Sequence, residues 1–511
     1  MRPFGPAGPT PTVTVIGGTV RHGRISVCTG PAVLALALGL WGLTREHSMW
    51  RDEAATWQAA HRSLAEIAHM VGQADVVHGL YYAVMHAVFV LFGDSLVTLR
   101  LPSVLATAAA CGLTALVGAR LAGRWAGMAA GCALAVVPAV QEHAQEGRSY
   151  AFVLAFVMLA TWLLVGALER PTGRRWAWYA AAVLVAAWLN WFSLFALAAH
   201  AVTLVCVRAD RARRVGWGLA ASGAVVGALP VILTSRSQVS LVSWIKPLGW
   251  PTVLGVLTTV AIAALGALLP RARRPERTQP GEPHGQVTLA AVALPLCAVP
   301  QLGLALISVA KPLYVTRYVL FAYAGLALCI GVLVFTLATR LRTHARILLP
   351  ATVAVALVAL LPIELRLRTM ESRVDDVLTA AATVDHVRST ADGVLFLPAA
   401  RRDTALVSPR AFAGLRDLAL AQGPVESGTL KGIEAGPRDI ERAMLSARHI
   451  VLVTDPGPSR ATSAADRTKR RVLDTYFVRR ADSVQRGRRV SVYERRATGR
   501  SHSPSATGPK G

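Results

Sequence analysis

Acidic, basic and aromatic side chains gather in a few short stretches of an otherwise apolar chain. Trp50-Arg51-Asp52-Glu53-Ala54-Ala55-Thr56-Trp57 follows the first apolar run, and Asp75, His78, Tyr81 and Tyr82 come next, then Arg100. A later stretch reads Gln141-Glu142-His143-Ala144-Gln145-Glu146-Gly147-Arg148-Ser149-Tyr150, and another holds Lys311, Tyr314, Arg317 and Tyr318. A carboxylate such as Asp52 or Glu53 can take the proton of an attacking hydroxyl. Arg100, Arg148 and Arg317 offer the planar two-point contact that suits a phosphate leaving group. His78, Tyr81, Glu142, Glu146, Tyr150 and Tyr318 are candidates to bind substrate, since tyrosine rings stack on sugars and sit well at headgroup level. The set fits transfer of a sugar from a lipid-phosphate carrier. With no P-loop, GxGxxG or HExxH in the chain, nucleotide hydrolysis and zinc proteolysis have no support.

Each signal also has a blander reading. Asp52-Glu53 before Ala-Ala-Thr-Trp favours a helix start by itself. Arg148 and Arg317 could serve as headgroup anchors. His61, His69, His78 and His86 recur at spacings of 8 or 9 residues, which suits solvated or interfacial histidines better than a metal cluster.

Those stretches are positioned by membrane spans. Of 511 residues, 53% are apolar and only 16% charged, too few to coat a soluble protein of this size. Apolar runs of bilayer length recur at 27–43, 101–119, 125–141, 150–168, 176–190, 191–207, 215–234, 250–270, 287–309, 318–339 and 347–363, predicting about eleven spans. Residues 79–93 are apolar but short, which suits an interfacial helix within an outer loop 44–99. The net charge of +25 does not point to nucleic acid, because its arginines cluster between apolar runs. With 79–93 off the list of spans, the short loops around Arg120, Arg170, Arg213, Arg273 and Arg340 share one side. That side is then cytoplasmic, and every chemical stretch lies on the other. Residues 1–26 become a cytoplasmic tail, and the first run a retained anchor, since no small-residue cleavage site follows it. The six cysteines form no CxxC pair and no readable disulfide or zinc framework.

Beyond residue 363 the composition changes. Runs GVLFLP (393–398), HIVLVTD (449–455) and RVSVYER (489–495) read as strands, with helical stretches at 436–447 and 465–476. Residues 364–497 are therefore expected to form a small extracytoplasmic α/β domain, and 498–511 a Ser/Gly/Pro-rich disordered tail.

The stretches WRDEAAT (50–56), VHGLYY (77–82), RLPS (100–103) and QEGRSYA (145–151), with the Arg317-Tyr318 pair, resemble membrane glycosyltransferases of family 39. These are the protein mannosyltransferase and aminoarabinose transferase relatives, and order and spacing are similar to actinobacterial members. The resemblance covers about residues 40–330. It implies the type C glycosyltransferase fold, 27–363 as the transferase domain, and inverting transfer of a sugar, often mannose, from polyprenyl phosphate to a protein, glycan or lipid acceptor in the cell envelope. It assigns the general base to Asp52 with Glu53 beside it, and leaves Glu142 and Glu146 in competition for the second acidic position. Gly147 stands where alanine is common, and His78 where aminoarabinose transferases carry an acid-lysine-proline sequence. Some relatives bind a divalent cation here, which leaves metal use open. The competing readings are a lipid or polysaccharide transporter or flippase, and a non-catalytic scaffold that binds wall polymer. The spans carry almost no ionisable side chains apart from His200, which counts against the transporter.

Overall fold

The computed structural model describes residues 19–238, 245–268, 287–341, 344–457 and 463–496. The Arg271–Arg277 cluster and the tail 498–511 lie outside them, as does most of the tail 1–26. Among the described residues, seven helices are long and apolar enough to cross a membrane: Leu96–Ala122, Tyr150–Glu169, Arg211–Ser237, Trp250–Leu268, Leu289–Ala310, Ala322–Arg340 and Arg346–Leu367. The chain is a multi-pass membrane protein.

The first expected span, 27–43, falls in the helix Thr19–Leu40, and the other remaining ones are shorter helices. Residues 125–141 split into Arg124–Ala135 and Pro138–Ala144, because Val137 precedes a proline and is driven out of the helical region to φ −69°, ψ 119°. After Gly173–Leu189 the chain breaks at Asn190, whose side chain accepts from the Phe192 amide, and a 3₁₀ turn at Trp191–Leu194 leads into Phe195–Cys206. The helix at Gly79–Phe92 has 14 residues, short of a span. Close helix packing rests on small residues: a Cβ on Gly127 would lie 2.4 Å from the Ala115 carbonyl oxygen. His200 is buried between Tyr179 and Thr161, with its ring nitrogens 2.9 and 3.1 Å from their hydroxyls.

Among the described residues the C-terminal part has seven strands: β1 (Gly393–Leu397), β2 (Arg416–Asp417), β3 (Leu420–Gln422), β4 (Ile433–Glu434), β5 (His449–Thr454), β6 (Phe477–Gln485) and β7 (Arg488–Arg495). Five form one sheet in the order β2-β1-β5-β7-β6, with β1 parallel to both β2 and β5. β1 and β5 are buried on both faces, so they read as continuous apolar runs. Leu395 and Leu397 pack with Ile440, Met444 and Val472 of the helices Pro437–Ser446 and Ala464–Tyr476. Val394 and Phe396 pack with Ala380 and Val384 of the helix Val377–Val387.

This sheet unit is bolted to the start of the helix Arg51–Ala60. Asp376 accepts from the Met49 amide and Asp375 from the Arg51 amide, both at 3.1 Å. Arg488, wholly buried, clamps Asp375 and Asp403 at 3.0 and 2.8 Å. Arg373 donates to the Glu142 carbonyl at 2.7 Å, tying the same segment to the second acidic stretch.

Candidate functional site

A cavity of about 640 Å³ opens where the four chemical stretches meet the sheet unit. Asp52 and Glu53 stand side by side in the first turn of the helix Arg51–Ala60, about 100° apart around its axis. That rotation separates their fates. Asp52 lines the cavity and pairs with Arg317 at 3.2 Å. Glu53 turns inward and is fully buried.

Glu53 is held by three partners. Arg100 donates to it from Nε and Nη2 at 2.7 and 2.8 Å, Arg45 at 2.5 Å, and the Gly147 amide at 3.1 Å. Burial alone would push its carboxyl up, but the Arg100 and Arg45 charges outweigh it and hold the group down to about 2. Arg45 sits in a run of left-handed residues, Arg45 to His47, with φ of 45°, 54° and 61°. Such a run costs conformational energy, and the buried ion pair is positioned to repay it.

On the opposite wall, Asp75 takes a left-handed conformation, φ 59°, which aspartate tolerates. Its carboxylate meets His78 Nδ1 at 2.8 Å and accepts from the Tyr82 hydroxyl. Burial raises Asp75, yet His78, Arg148 and Tyr82 together hold it well below the usual carboxylate range. Arg148 donates to the Tyr82 hydroxyl at 3.1 Å and to the Asp52 carbonyl at 3.3 Å, and lies 3.1 Å from His78 Nε2. Phe192 and Tyr318 stack at 4.8 Å between centroids, and the Arg317 guanidinium lies 5.5 Å from the Tyr150 ring centre.

Of the residues singled out in the sequence, Asp52, His78, Arg148, Tyr150, Arg317 and Tyr318 line this one cavity. Glu53, Arg100, Tyr81, Glu142 and Glu146 do not. Arg100 spends its guanidinium on Glu53 and on the Leu43 and Ser48 carbonyls, so it has no route to a phosphate. Glu146 is buried against His143, and Glu142 pairs with Arg373. The lining also includes Trp191, Phe192 and Arg236, and from the sheet unit Val374, Arg401 and Leu430. No spacing in the sequence marks these: Trp191 and Phe192 simply open an apolar run, and Arg401 lies far along the chain. Among the described residues, no group of three or more His, Cys, Asp or Glu side chains is placed to hold a metal ion.

Comparison with known proteins bears on the fold and on one segment of the chain. Residues 79–234 match the family model described as dolichyl-phosphate-mannose-protein mannosyltransferase. No curated protein matches the chain. Among solved structures, apo ArnT from Cupriavidus metallidurans superposes with a TM-score of 0.60 at 14% identity, covering 93% of this chain and 98% of that one. The same protein bound to undecaprenyl phosphate gives 0.51 at 14%, covering 91% and 97%. The chain therefore has the type C glycosyltransferase fold, and its segment 79–234 carries the pattern of the dolichyl-phosphate-mannose-protein mannosyltransferase family.

Proposed function

We propose that the chain is an inverting glycosyltransferase that moves a sugar from polyprenyl phosphate to an acceptor hydroxyl on the extracytoplasmic side. The observation that carries this reading is the Asp52–Arg317 pair, 3.2 Å apart on the wall of a cavity that Arg148 also lines. A lipid phosphate arriving there competes with Asp52 for Arg317. Once Arg317 turns to the phosphate, Asp52 is free to accept the acceptor's proton. The acceptor oxygen then attacks the anomeric carbon on the face opposite the phosphate. The bond from that carbon to the phosphate oxygen breaks, polyprenyl phosphate leaves with its charge held by Arg148 and Arg317, and the sugar inverts.

Mannose is the sugar the matched family description supports. The exposed apolar tip of the helix Gly79–Phe92, at Val90, Leu91 and Phe92, suits an interfacial helix lying against lipid. Glu53 and Arg100 act here as positioning residues: Glu53 anchors both the helix that carries Asp52 and, through the Gly147 amide, the loop that carries Arg148. Arg120, Arg170 and Arg175 converge at one end of the bundle. By the positive-inside rule that end is cytoplasmic, which puts the cavity and sheet unit outside.

The test is transfer from labelled polyprenyl-phosphate mannose in isolated membranes, wild type against Asp52→Asn. The variant keeps the shape and loses the proton acceptor, so turnover should fall by about 10²–10⁴-fold with donor binding retained. Wild-type turnover in Asp52→Asn makes Asp52 structural and removes the base from the mechanism.

A further inference from the structure

The cavity carries more positive charge than one donor accounts for. Six cationic side chains line it, Arg51, Arg148, Arg236, Lys311, Arg317 and Arg401, against two carboxylates in the lining, Asp52 and Asp75, and a third, Asp455, that pairs with Arg401 from behind it. Both lining carboxylates are already held, by Arg317 and by His78 with Tyr82. A sugar phosphodiester brings a single negative charge, which the more deeply set Arg148 and Arg317 suffice to meet. Arg51, Arg236 and Lys311 form no ion pair among the described residues, and Arg236 and Lys311 are exposed.

Arg401 comes from the sheet unit, and its setting is informative. It follows β1, and its partner Asp455 follows β5, so the two meet at the carboxyl ends of adjacent parallel strands. Nε and Nη2 of Arg401 bond both Asp455 oxygens, at 2.6 and 2.9 Å. This fixes the guanidinium plane. Asp417, at the end of β2, fixes the neighbouring Arg402 at 2.6 Å. In open α/β sheets the crevice beyond the carboxyl ends of parallel strands is where ligands bind, and here that end faces the cavity.

We infer that the sheet unit supplies the acceptor side of the cavity, with Arg401, Lys311, Arg236 and Arg51 binding an anionic sugar chain that carries a phosphate or carboxylate near its reacting hydroxyl. A sugar chain fits better than an acidic peptide. Peptides are commonly taken up along a free strand edge, and these strands meet the cavity end-on. The inference rests on the transferase reading, which sets the donor apart from this second ligand.

The test is calorimetric binding to the full chain in detergent micelles. The probes are mannotriose 6-phosphate, mannotriose ending in a uronic acid, neutral mannotriose, inorganic phosphate and an aspartate-rich heptapeptide. Both anionic trisaccharides should bind about tenfold or more tighter than the neutral one, the order of one charge-assisted contact. The Arg401→Gln/Lys311→Gln double variant should lose that preference, and Arg236→Gln, at an exposed position that does not threaten folding, should weaken it. The inference is overturned if neutral and anionic trisaccharides bind alike, or if a folded double variant keeps the preference. It is equally overturned if inorganic phosphate or the acidic peptide binds as tightly as the phosphorylated trisaccharide. Titration with polyprenyl phosphate separates the two readings. Loss of that binding alone overturns the donor reading, and loss of the trisaccharide preference alone overturns this one.

Discussion

Replacing Glu53 with glutamine removes the single negative charge between two buried guanidinium groups. Glu53, Arg45 and Arg100 are all 0–1% exposed, so no water replaces the lost carboxylate. Holding the carboxyl at about 2 instead of its ordinary 4.5 corresponds to about 3 kcal/mol in favour of the ionised form. Breaking a buried ion pair by removing one partner costs about 3–5 kcal/mol, so the two figures agree in order. Because the folded value is depressed, the stabilisation is fully present above about 4.5 and is lost as pH falls toward 2. Purified wild type and Glu53→Gln should therefore differ most in thermal unfolding at neutral pH and converge in acid. Turnover should fall with stability, because the Asp52 and Arg148 supports loosen together. A variant that unfolds at the wild-type temperature across this range, yet has lost turnover, would refute the positioning role and make Glu53 a participant in the chemistry.

Arg317→Lys keeps the charge but loses the planar fork, and should raise the donor concentration needed for half-maximal rate about tenfold or more; a donor dependence identical to wild type, with Arg317→Ala lowering only protein abundance, would leave Arg317 as a headgroup anchor. Single cysteines introduced at the exposed position 448 and at 213 should report opposite sides: an impermeant reagent added to intact cells should label position 448 alone, and labelling at 213 would invert the topology. Asp375→Asn removes a carboxylate shared by the Arg51 amide and Arg488, and is expected to lower turnover together with thermal stability, which a role in the sheet unit alone would not do.

The fold was legible wherever periodicity or run length carries the signal. Strands β1, β5 and β7 and the helices Pro437–Ser446 and Ala464–Tyr476 fall within a residue or so of the sequence expectation, because double burial writes an uninterrupted apolar run and the helices show one apolar face. β6 was invisible for the opposite reason. Phe477–Gln485 is almost wholly exposed, reads FVRRADSVQ, and is held by pairing with β7 instead of by its own pattern. The break before Pro138 rests on a local proline rule. The Asn190 break was anticipated from run length, but its mechanism, a side-chain cap on a 3₁₀ turn, depends on geometry that composition does not record.

Residue type alone does not separate a working carboxylate from a structural one. Asp52 and Glu53 are neighbours of the same chemistry, and the sequence gives both equal claim. A rotation of about 100° in one helical turn sends one to the cavity and the other to Arg100. The same rule sorts the arginines: Arg148 and Arg317 keep a face on the cavity, while Arg100 spends all its contacts on Glu53 and two carbonyls. What fixes that helix start lies more than three hundred residues away, in Asp375 and Asp376. No local pattern could announce such a contact, since an aspartate before an apolar helix looks like an ordinary cap, and Asp376 is also that, accepting from the Leu378 amide. The consequence is mechanical. The sheet unit is not an appendage to the membrane part, because the carboxylates that begin it also set the angle of the helix on which Asp52 stands. A change in the sheet unit that displaces Asp375 is expected to displace the helix start on which Asp52 stands, and misplacement of about 1 Å far from the reacting atoms can cost on the order of a hundredfold in rate.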